Sequence, residues 1–116
     1  MMRCCAYLGV LSNEGVPMNY IANFFTGLLL CNCIPHLSAG LQGKSFQTPF
    51  ARPRGVGESP ALINFLWGMA NFLVGAGLLQ VFPIAVGGNL AFVTATAGAL
   101  CLGCYLSMHF AKVRHT

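Results

Sequence analysis

Three long apolar runs organise the chain. The first opens at Met18 and continues to about Leu41. At 1.5 Å per residue, a helix over 18–41 covers roughly 36 Å, enough to cross about 30 Å of hydrocarbon with some tilt. Pro35 lies inside it. Proline removes one backbone hydrogen bond and crowds the carbonyl four residues back, here that of Cys31. The helix therefore either ends near Ile34 or kinks and goes on. Leu37, Ala39 and Leu41 keep the pattern apolar beyond the proline, which favours the kink. The second run covers residues 61–82 and the third residues 84–110. Pro83 separates them, and Gly87 and Gly88 loosen the start of the third. Residues 80–89 carry no charge, so the second and third spans are expected to form a tight hairpin. The expected fold class is all-α: one integral membrane domain, residues 18–116, with three transmembrane helices.

Residues 42–60 break the apolar pattern. Pro49, Pro53 and Pro60 forbid a continuous helix there, so the segment reads as a Pro/Gly-rich loop. Phe46 and Phe50 alternate with Lys44, Arg52 and Arg54. That alternation suits a segment lying on lipid headgroups, rings down and charges out. Ser59 followed by Pro60 reads as a helix start, with Ser as N-cap and Pro at the first helical position. Upstream, the apolar stretch over residues 4–11 is too short to span, and no small-residue cleavage pattern follows it. Two readings stand for residues 1–17: a disordered or interfacial tail, or an artefact of start-codon choice. The second is preferred, because Met18 opens the first run.

Within the spans, small and amide residues recur at helical spacing. Span three carries Gly87, Ala91, Ala95, Ala99, Gly103 and Ser107 at every fourth position. Small side chains on one helix face let a neighbour approach closely. Chance is the competing explanation, since this helix is rich in small residues throughout. Span two carries Asn64, Gly68, Asn71 and Gly75, spaced four, three and four, and span one carries Asn23, Gly27 and Cys31. An Asn at membrane depth ordinarily bonds a neighbouring helix, for about 0.6–2 kcal/mol. These stripes are read as a three-helix contact seam. The sharper alternative is a polar groove for a ligand or a lipid headgroup. Trp67, Tyr105 and Tyr20 are read as interfacial anchors.

Composition supports the membrane reading and narrows the function. Hydrophobic residues make up 56% of the 116 and charged residues only 7%. A soluble surface ordinarily needs about a quarter charged. The net charge of +4 suggests anionic headgroups and orientation rather than nucleic acid, because the cations border apolar runs. Lys44, Arg52 and Arg54 lie between spans one and two, and Lys112 and Arg114 follow span three. With three spans these two places share a side. The positive-inside rule then puts the loop and the C-terminus in the cytoplasm and the N-terminus outside.

No Asp, Glu, Lys or Arg falls inside a span, and Glu14 and Glu58 lie outside the runs. Ion-coupled transporters ordinarily keep an ionisable residue at depth, so a proton-coupled antiporter is disfavoured. A passive pore or a lipid-binding role is left open. His36 and His109 both fall near the cytoplasmic end and could jointly ligate a haem or a metal. The ordinary alternative is an interfacial His bonded to a carbonyl or a headgroup. Cys101 and Cys104 form a C-x-x-C on span three, which could serve zinc or redox chemistry. Against that stand their place in the inner half and the commonness of Cys as a small packing residue. Cys31 and Cys33, two apart, point to opposite faces. No phosphate-binding glycine motif and no supported Ser-His-Asp set is present, so neither an enzyme nor a cofactor is expected.

One segment resembles a family. Pro35, His36, Gly40 and Gly43 precede a loop with Phe46, Thr48, Pro49, Phe50, Ala51 and Pro53. Gly55, Gly57, Ser59 and Pro60 follow, then Asn64, Trp67, Gly68 and Asn71. This pattern is similar to that of a group of small, uncharacterised bacterial multi-pass membrane proteins. The resemblance covers about a third of the chain. It implies a bacterial inner (cytoplasmic) membrane and brings no activity with it. The expectation is a non-enzymatic membrane protein that acts by helix packing, as a homo-oligomer or with a membrane protein partner, its loop (Lys44, Phe46, Phe50, Arg52, Arg54) touching lipid or partner. The rivals are a homo-oligomeric passive transporter or channel lined by the Asn stripe, and a haem- or metal-binding redox subunit using His36 and His109.

Overall fold

A computed structural model describes residues 19–114; the expectations for residues 1–17, including Cys4 and Cys5, lie outside them. Three helices are long and apolar enough to cross a membrane: α1 (Tyr20–Leu41), α2 (Ala61–Val81) and α3 (Leu90–Arg114). The protein is an all-α, three-helix membrane protein. α1 runs through Pro35 without ending. It stops at Gly43, whose φ of +71° suits a residue without Cβ. There the amide of Lys44 donates to the carbonyl of Ala39 at 2.9 Å and that of Gly43 to Gly40 at 3.1 Å. This six-to-one and five-to-two pair satisfies two of the end carbonyls that the helix itself cannot.

The loop is not free on a surface. Two short strands, β1 (Phe46–Gln47) and β2 (Glu58–Ser59), pair antiparallel with Phe46 opposite Ser59. The turn between them is tied by the amides of Val56 and Gly57, which both donate to the carbonyl of Pro53. Ser59 does not cap α2. The helix starts at Ala61 after an extended Pro60 and has no side-chain cap. The Ser59 hydroxyl instead pairs with Thr48 at 2.6 Å.

Two expectations about span three are corrected. The helix begins at Leu90, not Ile84. The glycine pair leaves residues 84–89 irregular, and Asn89 makes the start: its Oδ1 accepts from the amide of Phe92 at 2.9 Å. Gly87 therefore lies outside the helix. The tight hairpin is also absent. α2 and α3 each pack along α1 and make little contact with each other, so α1 is the central helix. The eight-residue connection, 82–89, lets α3 step across α1 to its other side.

Both interfaces rest on glycine. A Cβ on Gly27 would run into the backbone of Ala95, and one on Gly98 into the carbonyl of Phe24. On the other side of α1, a Cβ on Gly40 would lie 2.7 Å from the amide nitrogen of Phe65, and one on Gly68 2.8 Å from Leu37. Lipid tails are as apolar as leucine, so association here depends on such close van der Waals contact. Substituting Gly27→Ala is expected to destabilise the folded monomer by about 1–3 kcal/mol through overpacking. Gly77→Ala, with nothing within 4 Å of the added atom, is expected to be neutral or to gain up to about 1 kcal/mol from helix propensity. Circular dichroism across a series of denaturing and mild detergent mixtures measures both. Equal effects of the two changes would contradict the packing described.

Candidate functional site: a capped polar cluster at the cationic end

The loop folds over the end of the helix bundle where α1 stops and α2 starts. Asn64, fully buried on the first turn of α2, organises it. Its Nδ2 donates to the carbonyls of Ser59 at 2.8 Å, Phe46 at 3.1 Å and Pro60 at 3.3 Å. Its Oδ1 is thereby fixed as an acceptor, and His36 Nδ1–H on α1 donates to it at 2.8 Å. One side chain thus joins α1, the cap and the start of α2. Nearly two turns deeper a second pair repeats the link: Asn32 Nδ2 donates to Asn71 Oδ1 at 3.0 Å, and Asn71 Nδ2 donates to the carbonyl of Trp67.

An aromatic layer surrounds the His36–Asn64 bond. The Phe46 ring meets His36 at 5.4 Å and Phe110 of α3 at 4.9 Å, both edge to face. The Arg114 guanidinium stands 5.7 Å over the same ring, an attractive arrangement for a cation. Trp67 meets His36 at 6.5 Å and Phe50 at 5.4 Å. On α3, His109 donates from Nε2 to the carbonyl of Gly55 at 2.7 Å and stacks on Tyr105. The last turns of α3 thereby hold the tip of the cap.

Between α1, α3 and the cap lies a cavity of about 300 Å³. His36, Gln47, Thr48 and His109 give it a polar roof, and Leu28, Leu102 and Leu106 line its apolar part. A second, more open groove of about 590 Å³ runs along α3 beside Cys31 of α1, bounded by Ala99, Gly103, Cys104 and Ser107.

The structure redistributes several residues singled out from the sequence. Asn64, Gly68, Asn71 and Gly75 are the buried residues of α2, all turned to α1. Of the fourfold ladder on α3, Ala91 is buried, Ala95 meets Gly27 and Gly103 meets Cys31, so these rungs turn toward α1. Residues four apart advance about 40° beyond a full turn, and Ala99, Gly103 and Ser107 stand at the edge of the α1 contact, where they border the open groove. The contact face continues through Gly98, three residues after Ala95, which the fourfold pattern misses.

Of the loop residues, Lys44, Arg52 and Arg54 are exposed and Phe50 is about half exposed. Phe46 is turned into the bundle rather than onto headgroups, because β pairing and the Asn64 bond to its carbonyl aim it inward. Trp67 belongs to this cluster and not to a lipid-facing belt; its Nε1 is buried without a partner. Tyr105 and Tyr20 are on the surface.

His36 and His109 line the same cavity, each with one ring nitrogen already bonded. Among the described residues no three of His, Cys, Asp and Glu are grouped to hold a metal. Cys101 and Cys104 are free and exposed, and Cys104 borders the open groove. Asn32 and Gln47 join the site unannounced, while Thr48 and Ser59 stood in the resemblance pattern without a role in the site. Asn32 left a signal of its own, since it precedes His36 by one helical turn on the same face.

Asn64→Ala is expected to cost about 3 kcal/mol or more, because it strands a buried ring N–H and several carbonyls at once. It should also loosen the cap, so trypsin should cut after the exposed Arg54 faster than in the parent chain. Unchanged stability and cleavage would remove Asn64 from the centre of the site. Comparison with protein-family models, with curated proteins and with solved structures finds no match for this chain.

Proposed function

We infer that this is a non-enzymatic membrane protein that acts by packing its third helix against another transmembrane helix, in a copy of itself or in a partner subunit. One observation carries the reading. α3 gives α1 only a narrow strip, with Ala91 and Gly98 its buried residues, and the small residues Ala99, Gly103 and Ser107 border an open groove beside Cys31 of α1. Helices in lipid associate through such small-residue surfaces. The channel alternative gains no support, since Asn64 and Asn71, the residues that would line a path, are consumed by bonds within the chain. For redox chemistry at His36 and His109 there is no comparable observation.

The setting we infer is a bacterial inner membrane, from the resemblance of residues 35–71, with the cap facing the cytoplasm. Lys44, Arg52, Arg54, Lys112 and Arg114 all gather at the cap end, where the positive-inside rule wants them. A fluorescent-protein fusion after residue 116 should therefore glow in cells, and a periplasmic-phosphatase fusion there should stay inactive. The reverse result would invert the topology.

Gly103→Leu separates assembly from folding. A Cβ at Gly103 meets only Cys31 Sγ, at 3.6 Å, an ordinary contact. The variant should keep the helix content and thermal midpoint of the parent chain. It should lose the oligomer mass, measured by light scattering in mild detergent, or the partner recovered from native membranes. If neither mass nor recovery changes, the groove is not an assembly surface.

A further inference from the structure

We propose that the cavity beneath the cap binds an uncharged amphiphile with a hydroxyl head, whose tail lies between α1 and α3. The inference goes beyond assembly through the open groove and uses different residues. Its first support is the shape and polarity of the cavity. Leu28 lies eight residues below His36 on α1, roughly 12 Å along the axis. The cavity is therefore an elongated slot, apolar toward Leu28 and Leu102 and polar at the roof. Its 300 Å³ would hold about ten water-sized units, enough for a head and the first stretch of a hydrocarbon chain. Tyr105, exposed on the surface of α3, forms part of its rim, which gives the slot a lateral opening toward lipid.

The second support is an unsatisfied group. Gln47 lines the roof, is only 5% exposed, and its side-chain Oε1 has no hydrogen-bond partner among the described residues. The polar side chains beside it are paired, Thr48 with Ser59 and Asn64 with His36 and three carbonyls, while Trp67 Nε1 in the same cluster is bare as well. A buried amide oxygen left bare costs about 1–3 kcal/mol, a cost that a hydrogen-bond donor in the cavity would relieve.

The donor and acceptor pattern sets the class of ligand. His36 donates from Nδ1 and His109 from Nε2, so the nitrogen left on each neutral ring is an acceptor. Gln47 Oε1 is a third acceptor. A hydroxyl can donate its one proton to any of these three. A carboxylate only accepts, and would face ring acceptors. No Lys, Arg, Asp or Glu lines the cavity, so a charged head would find no counter-ion there.

The test uses the full chain in lipid nanodiscs with a dodecanol probe carrying a photoreactive diazirine in its tail. Labelled peptides are mapped by mass spectrometry. Saturable labelling over residues 28–36 and 102–110, competed by dodecanol but not by dodecanoate, is expected. Gln47→Leu should cut that labelling at least fivefold while the thermal midpoint stays level or rises, since it removes a bare polar group. Leu102→Phe, which fills the apolar part, should cut it as well and guards against a cap that misfolds. Labelling spread over the lipid face of α2 without competition would overturn the proposal. So would equal competition by dodecanoate, or full labelling in both variants.

Discussion

The fold depends on burying an amide without stranding it. Asn64 is fully buried, and an unpaired polar group in such a place costs about 1–3 kcal/mol or more. The structure resolves this by bringing four partners to one side chain. That requirement fixes much else. It sets the register of α1 against α2 through His36. It pins the carbonyl of Phe46, which sends the Phe46 ring inward to Phe110 and under Arg114. The position of the cap over α3 then follows, and with it the His109 bond to Gly55.

Hydrogen bonds alone would not bring the helices together. In lipid an interhelical hydrogen bond gives only about 0.6–2 kcal/mol, comparable to the cost of ordering a few side chains. The glycines supply the rest by allowing contact at backbone distance. They also explain why α1 sits in the middle: it presents Gly27 to α3 and Gly40 to α2, while α2 and α3 each bring one matching face to it. A helix with two such faces can hold two neighbours that hardly touch each other.

How much of this was legible depended on whether the signal was local. The three spans were readable because span length and the scarcity of charge are properties of short windows. The α2 stripe was readable because steps of four, three and four hold one face of a 3.6-residue helix. A strict step of four drifts, so the α3 ladder runs from the buried Ala91 to the edge of the α1 contact at Gly103 and leaves out Gly98. The hairpin failed for a different reason: an uncharged connection says that two spans are joined, and says nothing about which helix lies between them. Phe46 was misread because its neighbours are cations. Its direction is set by a two-residue strand and by an Asn eighteen positions away, neither of which periodicity can see. The roles of Gln47, Thr48 and Ser59 in the site were hidden likewise, since only the closed cap puts them in one place.

The remaining irregularities are not spread evenly. Among the described residues three buried side-chain polar atoms have no partner, on Asn23, Gln47 and Trp67. Two of the three belong to the cap cluster, the part of the molecule where polar groups are otherwise paired most fully. A protein that is consistent across propensity, packing and hydrogen bonding ordinarily departs from that consistency where something must act. Two of these three departures lie at one end, beside the exposed cations and near the slot. The other end has an irregular uncharged connection and a single bare amide oxygen on Asn23, with no cap to organise it. The small residues Ala99, Gly103 and Ser107 border a groove beside Cys31. The two proposed roles are therefore separate in space: helix packing at that groove, and ligand binding beneath the cap. Loss of one need not disturb the other, because the groove residues Ala99, Gly103 and Ser107 take no part in the bonds that hold the cap.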